Sequence, residues 1–163
     1  MLDFRVRYLQ LAFNDDAATA LRIVGALPRD ERIIVEAGTP FIKREGMKGI
    51  QALRIAHAGH LVADLKTTDG GAEEVEMVAS AGATAATVMG SCPTETLARF
   101  IAACSEWEMD SLIDMLGVAD PLHVMRELRI PPTGVVLHLG RDEESTRGKQ
   151  IQYRHVTRIR SKY

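Results

Sequence analysis

Val62-Ala63-Asp64-Leu65-Lys66-Thr67-Thr68-Asp69 is the stretch on which the reading of this chain turns. An alternating apolar segment runs into Asp-x-Lys-x-x-Asp, which gathers carboxylates and an ammonium at a strand end and in the turn behind it. Side chains two residues apart share one face of a strand. Asp64 and Lys66 therefore join Val62 on one side, while Leu65 points to the other. Asp69 falls past the strand, in a turn marked by Gly70-Gly71. Charges there are costly to bury unless they pair with one another or hold a ligand or metal. A surface ion pair at a strand end is the competing reading of the motif taken alone.

On either side, short apolar segments alternate with stretches of helical length, the pattern of a parallel α/β fold. Strands are expected near residues 6–13, 32–37, 60–65, 84–90, 110–116 and 134–139, and helices near 15–26, 44–56, 71–81, 93–106 and 119–129. Helix starts carry their usual signals: Asp15-Asp16 ahead of Leu21, Ile23 and Val24, and Pro93-Thr94-Glu95 ahead of Leu97, Phe100 and Ile101. Pro131-Pro132 stops the fifth helix and hands the chain to Val135-Val136-Leu137. Beyond His138 a polar loop is expected from Arg141 to Gly148, then a helix-like run from Lys149 to Lys162.

With 163 residues, 46% of them hydrophobic, the chain can bury one sizeable core. A net charge of −2 predicts no general attraction to nucleic acid or membranes. Cys92 and Cys104 fit neither a metal-ligand spacing nor a disulfide framework, and read as reduced thiols of a cytoplasmic protein. The first residues lack the apolar core of a signal peptide, and no apolar run is long enough to span a bilayer. Arg147, Lys149, Arg154, Arg158, Arg160 and Lys162 make the last segment basic; with Tyr153 as its one aromatic before Tyr163, it reads as a solvated helix face. No glycine-rich dinucleotide fingerprint is present.

His138 closes the apolar strand Val135-Val136-Leu137 and could be either a satisfied core residue or a proton carrier near neutral pH. His57 and His60 flank Gly59 and are expected to be solvated; His123 and His155 have no partner spacing that points to a metal.

Six blocks in one order carry a resemblance: Leu9-Gln10-Leu11-Ala12-Phe13, Glu36-Ala37-Gly38-Thr39-Pro40-Phe41-Ile42-Lys43, the Asp64 run, Thr87-Val88-Met89-Gly90-Ser91, Ile113-Asp114-Met115-Leu116-Gly117-Val118 and His138-Leu139-Gly140-Arg141-Asp142-Glu143. The chain resembles the orotidine-monophosphate-decarboxylase suprafamily. Within it, the hexulose-6-phosphate synthases are most similar, above all the archaeal form fused to a formaldehyde-activating domain. The resemblance implies a (β/α)8 TIM barrel with the Asp64 motif on its third strand. Such a barrel takes eight strands and about 200 residues or more, whereas six β-α units can be read here. Residues 1–163 are thus expected to form a single, incomplete barrel domain, either part of a longer protein or completed by a partner. An open sheet would leave two edges exposed.

The same resemblance implies site roles. Glu36 and Asp64, brought to one rim, would hold Mg²⁺, a cation that takes few protein ligands and keeps water. Lys66 would stabilise an enediolate oxygen or relay a proton, and Asp69 would reach the neighbouring subunit's site in a homodimer. His138 and Arg141 match a family pair, and Asp114 an acid that contacts substrate hydroxyls. Asn14 stands where many members carry Asp, and can still hydrogen-bond a sugar hydroxyl. The bland alternatives are a turn acid for Glu36 and a structural counter-ion for Lys66. The implied reaction joins formaldehyde to ribulose 5-phosphate, a phosphorylated ketose, to give a 3-hexulose 6-phosphate, or reverses that step. Decarboxylation of 3-keto-L-gulonate 6-phosphate or an orotidine-phosphate-like substrate is the second reading, and a non-catalytic assembly subunit the third.

Overall fold

A computed structural model describes residues 1–147 and 153–162. Its elements alternate from the start: β1 (Leu9–Phe13), α1 (Ala17–Val24), β2 (Ile33–Ala37), α2 (Thr39–Ala56), β3 (Leu61–Thr67), α3 (Gly71–Ser80), β4 (Ala85–Met89), α4 (Thr94–Glu106), β5 (Asp110–Asp114), α5 (Pro121–Glu127), β6 (Gly134–Val136), α6 (Arg141–Arg147) and α7 (Tyr153–Arg160). Every strand pairs in parallel with the next, in the order β1-β2-β3-β4-β5-β6. This is the TIM-barrel arrangement with six strands present. Within the described residues β1 and β6 each pair on one side only, so both are edges.

Burial explains the two faces. Between sheet and helices lies the main core, with Phe41, Ile50, Leu53, Val75, Val78 and Phe100 fully buried. The opposite, inward face carries a smaller cluster of Ile34, Val62, Ala85 and Leu112, floored by Leu2 and Tyr8. Two residues further along those strands the same face turns polar: Glu36, Asp64, Thr87 and Asp114. Period-2 geometry thus stacks an apolar layer beneath a ring of functional groups at the carboxyl ends of the strands.

Boundaries differ from the sequence reading where local hydrogen bonds override pattern. β1 starts at Leu9, not residue 6, because Val6 N–H closes a turn onto Asp3 C=O. α2 starts at Thr39, not residue 44: Pro40 opens it, and Gly46, at φ 60° and ψ −156°, kinks it. The polar stretch expected as a loop is helical over Arg141–Arg147, its first turn carrying Asp142, Glu143 and Glu144, which suit the positive end of a helix. β6 stops at Val136, leaving His138 in the segment beyond it. α7 falls inside the expected helix-like run, whose first part, Lys149 to Gln152, lies outside the described residues. Cys92 and Cys104 are both free thiols. Among the described residues no helix is long and apolar enough to cross a membrane.

Candidate active site

The inward polar ring opens into a cleft of about 940 Å³, lined by residues from β1 through α7. Its centre is a run of alternating charge. Lys66 Nζ lies 3.0 Å from the Asp64 carboxylate and 2.6 Å from Asp114 Oδ2, and His138 Nδ1 lies 2.8 Å from the same Asp114 oxygen. Asp64 is 8% and Asp114 1% exposed, so these contacts are made in a poorly hydrated setting where charge-assisted bonds are strong.

Each carboxylate is fixed by further donors. The Thr87 hydroxyl donates to Asp64 Oδ1 at 2.8 Å, and the Thr39 hydroxyl sits 2.8 Å from Asp64 Oδ2. Leu116 N–H donates to Asp114 Oδ1 at 2.9 Å. Burial opposes the charge of Lys66, but the hydrogen bonds to Asp114 and Asp64 outweigh it and hold the ammonium above the ordinary lysine range. Burial likewise works against ionised Asp114, yet His138 and Lys66 keep its carboxyl below the ordinary value. The hydrogen bond to Asp114 raises His138.

Glu36 lines the cleft beside them, its carboxylate accepting from the Gln10 side-chain amide. Burial pushes its carboxyl up, and the negative charge of Asp64 adds to that rise. Two carboxylates in electrostatic reach, one of them without a cationic side chain bonded to it, make a donor set that fits a hard divalent cation. Among the described residues no group of three or more His, Cys, Asp or Glu side chains converges as a metal cage. A cation held by Glu36 and Asp64 would complete its shell with substrate and water oxygens.

Asn14 and Arg141 line the same cleft, Asn14 just past β1 and Arg141 at the start of α6. Gly38 is needed next to Asn14, because a Cβ there would stand 2.2 Å from Asn14 Oδ1 and 2.9 Å from Phe13 O. Asp69 is not brought to the cleft of its own chain. It is exposed, and lines a separate small depression with Glu73, Thr96 and Arg99. Asp114 lines the cleft as well and holds Lys66 and His138 there. Arg147 ends α6 and Tyr153 begins α7, but their side chains lie outside what the structure describes, as does the whole of Lys149.

Several residues of the site carried no role in the sequence reading. Thr39 and Thr87 lie inside quoted blocks but read as ordinary helix-start and strand residues; the alternation Ala85, Thr87, Met89 is the signal that put Thr87 inward. Gln10 alternates with Ala12 on β1 in the same way. His155 is buried and lines the cleft, because α7 packs against the body, with Arg158 3.6 Å from Asp120, the N-cap of α5. His57 and His60, expected in solvent, are half-buried: His60 meets the Tyr8 ring edge-on at 5.7 Å, and burial lowers both imidazoles.

Known proteins resemble this chain in sequence and in fold. The chain is 37% identical over 139 residues to the "Bifunctional enzyme Fae/Hps" of Methanocaldococcus jannaschii, covering 85% of this chain and 36% of that protein. It thus spans about a third of the length of that curated relative. The 3-hexulose-6-phosphate synthase structure from Salmonella typhimurium is similar at TM-score 0.83 and 28% identity, over 96% of this chain and 74% of that one. A 3-keto-L-gulonate-6-phosphate decarboxylase structure from Vibrio cholerae is similar at TM-score 0.78 and 26% identity, over 95% and 72%. Residues 7–161 match the model of the Orotidine 5'-phosphate decarboxylase / HUMPS family, and the chain belongs to that family.

Proposed function

We propose that this chain is a 3-hexulose-6-phosphate synthase-type aldehyde-lyase, which adds formaldehyde to C1 of ribulose 5-phosphate and reverses that addition. The Asp64–Lys66–Asp114–His138 run carries this reading: a base and a fixed cation stand side by side in one cleft. Asp114 engages His138 Nδ1 and leaves Nε2 for substrate. His138 takes the C1 proton, and the Lys66 ammonium stabilises the oxyanion of the enediolate. The enediolate carbon then attacks formaldehyde, forming the new C–C bond, and the resulting alkoxide takes a proton back from the His138 imidazolium. Glu36 and Asp64 would hold Mg²⁺, which when bound supplies Lewis-acid stabilisation of sugar oxygens. Asn14 hydrogen-bonds a sugar hydroxyl, and Arg141 offers a cation at the cleft mouth. Asp69, turned away from its own cleft, is available to a second subunit of a homodimer with shared sites. The relatives' Fae/Hps name supports association with a formaldehyde-activating domain, and free thiols fit a cytoplasmic sugar-phosphate enzyme. Residues 1–163 act as one TIM-barrel-type domain in this reading.

The test is formaldehyde-dependent consumption of ribulose 5-phosphate by the full chain with Mg²⁺. Product formation that is abolished by chelator and restored by Mg²⁺ is expected; full activity in excess chelator would remove the metal from the reading. A second reading, decarboxylation of 3-keto-L-gulonate 6-phosphate, is favoured by Arg141 lining the same cleft as His138. Release of CO₂ from that substrate, without formaldehyde condensation, would select it. Absence of both reactions, and of C1 proton exchange, would leave the assembly-subunit reading.

A further inference from the structure

Lys66 departs from strand geometry, and the departure has a counterpart on β4. Its φ of 50° is left-handed, a region that residues other than glycine seldom enter. Between the pairs Ala63–Ala86 and Thr67–Val88 the register of β3 against β4 slips. Three residues of β3, namely Asp64, Leu65 and Lys66, therefore face the single residue Thr87. Bulges of this kind re-aim side chains beside active sites.

Thr87 is 3% exposed and its hydroxyl reaches both ends of the bulge. Oγ1 accepts the Lys66 backbone N–H at 2.9 Å and donates to Asp64 Oδ1 at 2.8 Å. Its only proton is thereby spent on protein. The β-branched side chain has few χ1 choices, so the peg is stiff. A valine of the same shape would leave the Lys66 N–H without its acceptor and free the Asp64 carboxylate to turn.

We propose that Thr87 is a positioning residue: its hydroxyl pins the Asp64–Lys66 bulge so that the Lys66 ammonium stands between Asp64 and Asp114. The kinetic consequence rests on the synthase reading, whereas the structural one rests on the bulge alone.

Thr87→Val and Thr87→Ser in the full chain test it. In Thr87→Val, kcat with ribulose 5-phosphate and formaldehyde should fall by about 10²-fold, the cost of a misplacement near 1 Å, while KM stays within a few-fold. The Lys66 amide should exchange with deuterium faster in NMR, with the amides of Ala86 and Ile113 still protected. Thr87→Ser should restore both readouts. Wild-type kcat per folded molecule in Thr87→Val, or an unchanged Lys66 amide, overturns the proposal, as does equal loss in the serine variant. Should the wild-type chain turn over no sugar phosphate, the synthase reading fails and Lys66 amide exchange still decides the role of Thr87. Should Thr87→Val lose cooperative melting, Thr87→Cys, whose thiol is a weak hydrogen-bonding group, carries the same two readouts.

Discussion

At the scale of single residues, the site is a competition between burial and pairing. Lys66 lies at most 3.0 Å from each of two carboxylates, and His138 shares one of them. If these groups act on an enediolate, each substitution should slow exchange of the ribulose 5-phosphate C1 proton with solvent, even without formaldehyde. Lys66→Ala should lose about 10²–10³ in rate and His138→Asn about 10²–10⁴, read by NMR in D₂O; exchange at the wild-type rate in both variants would take them out of the mechanism. The pH dependence has a definite sign. Asp114 raises His138 above its ordinary 6.5, so the free base appears only at higher pH and kcat/KM should climb through a limb above that value. Asp114→Asn should move the limb down; a limb that stays put counts against the pairing. The same shift is a stability statement: the His138 contribution is complete below 6.5 and is lost as pH rises through the raised value. The depressed Asp114 adds stability above its ordinary 3.8 that is lost as pH falls through its folded value.

At the scale of elements, two local departures from regular geometry shape the molecule. The β3–β4 bulge sets Lys66, and the Gly46 kink divides α2 beside the cleft wall that begins at Thr39. Gly46 has open space around the position a Cβ would take, so its backbone alone decides what fits there. Its φ of 60° with ψ of −156° belongs to glycine. Gly46→Ala should therefore destabilise the fold by about 1–3 kcal/mol, lowering Tm by roughly 2–4 °C per kcal/mol in calorimetry. An unchanged Tm would mean that α2 can straighten without loss. The elements also explain which boundaries the sequence concealed. Apolar periodicity marked the strands and the helices packed on them, because those positions meet the core. Arg141–Arg147 buries little and is helical through its own backbone and acidic first turn, so no apolar period announced it. Likewise Val6 looks like strand in the sequence, but Asp3 captures the backbone around it in a turn.

For the whole molecule, the proposed shared-site dimer makes a prediction that no single chain could meet. Asp69 is exposed while Lys66 is held inside the cleft of the same chain. Lys66→Ala and Asp69→Ala should each be inactive, yet mixing them under conditions of subunit exchange should recover about a quarter of wild-type activity, since half the dimers are mixed and each has one intact site of two. Sedimentation should give a dimer at micromolar concentration. A stable monomer, or no recovery on mixing, would separate Asp69 from the reaction.

What the sequence determined by itself is the strand-helix alternation and the family, because periodicity and motif spacing are local properties of a chain. Period 2 also placed Asp64 and Lys66 on one face before any neighbour was known. Tertiary structure alone decided the rest. Lys66 and Asp114 stand 48 positions apart, and their 2.6 Å contact exists because parallel pairing through β4 carries β3 and β5 to one rim. Thr87 gains its role from a register slip that neither strand encodes separately, and His155 is buried only because α7 folds back onto α5. Those are properties of pairing and packing, which a linear pattern cannot express until the strands have met.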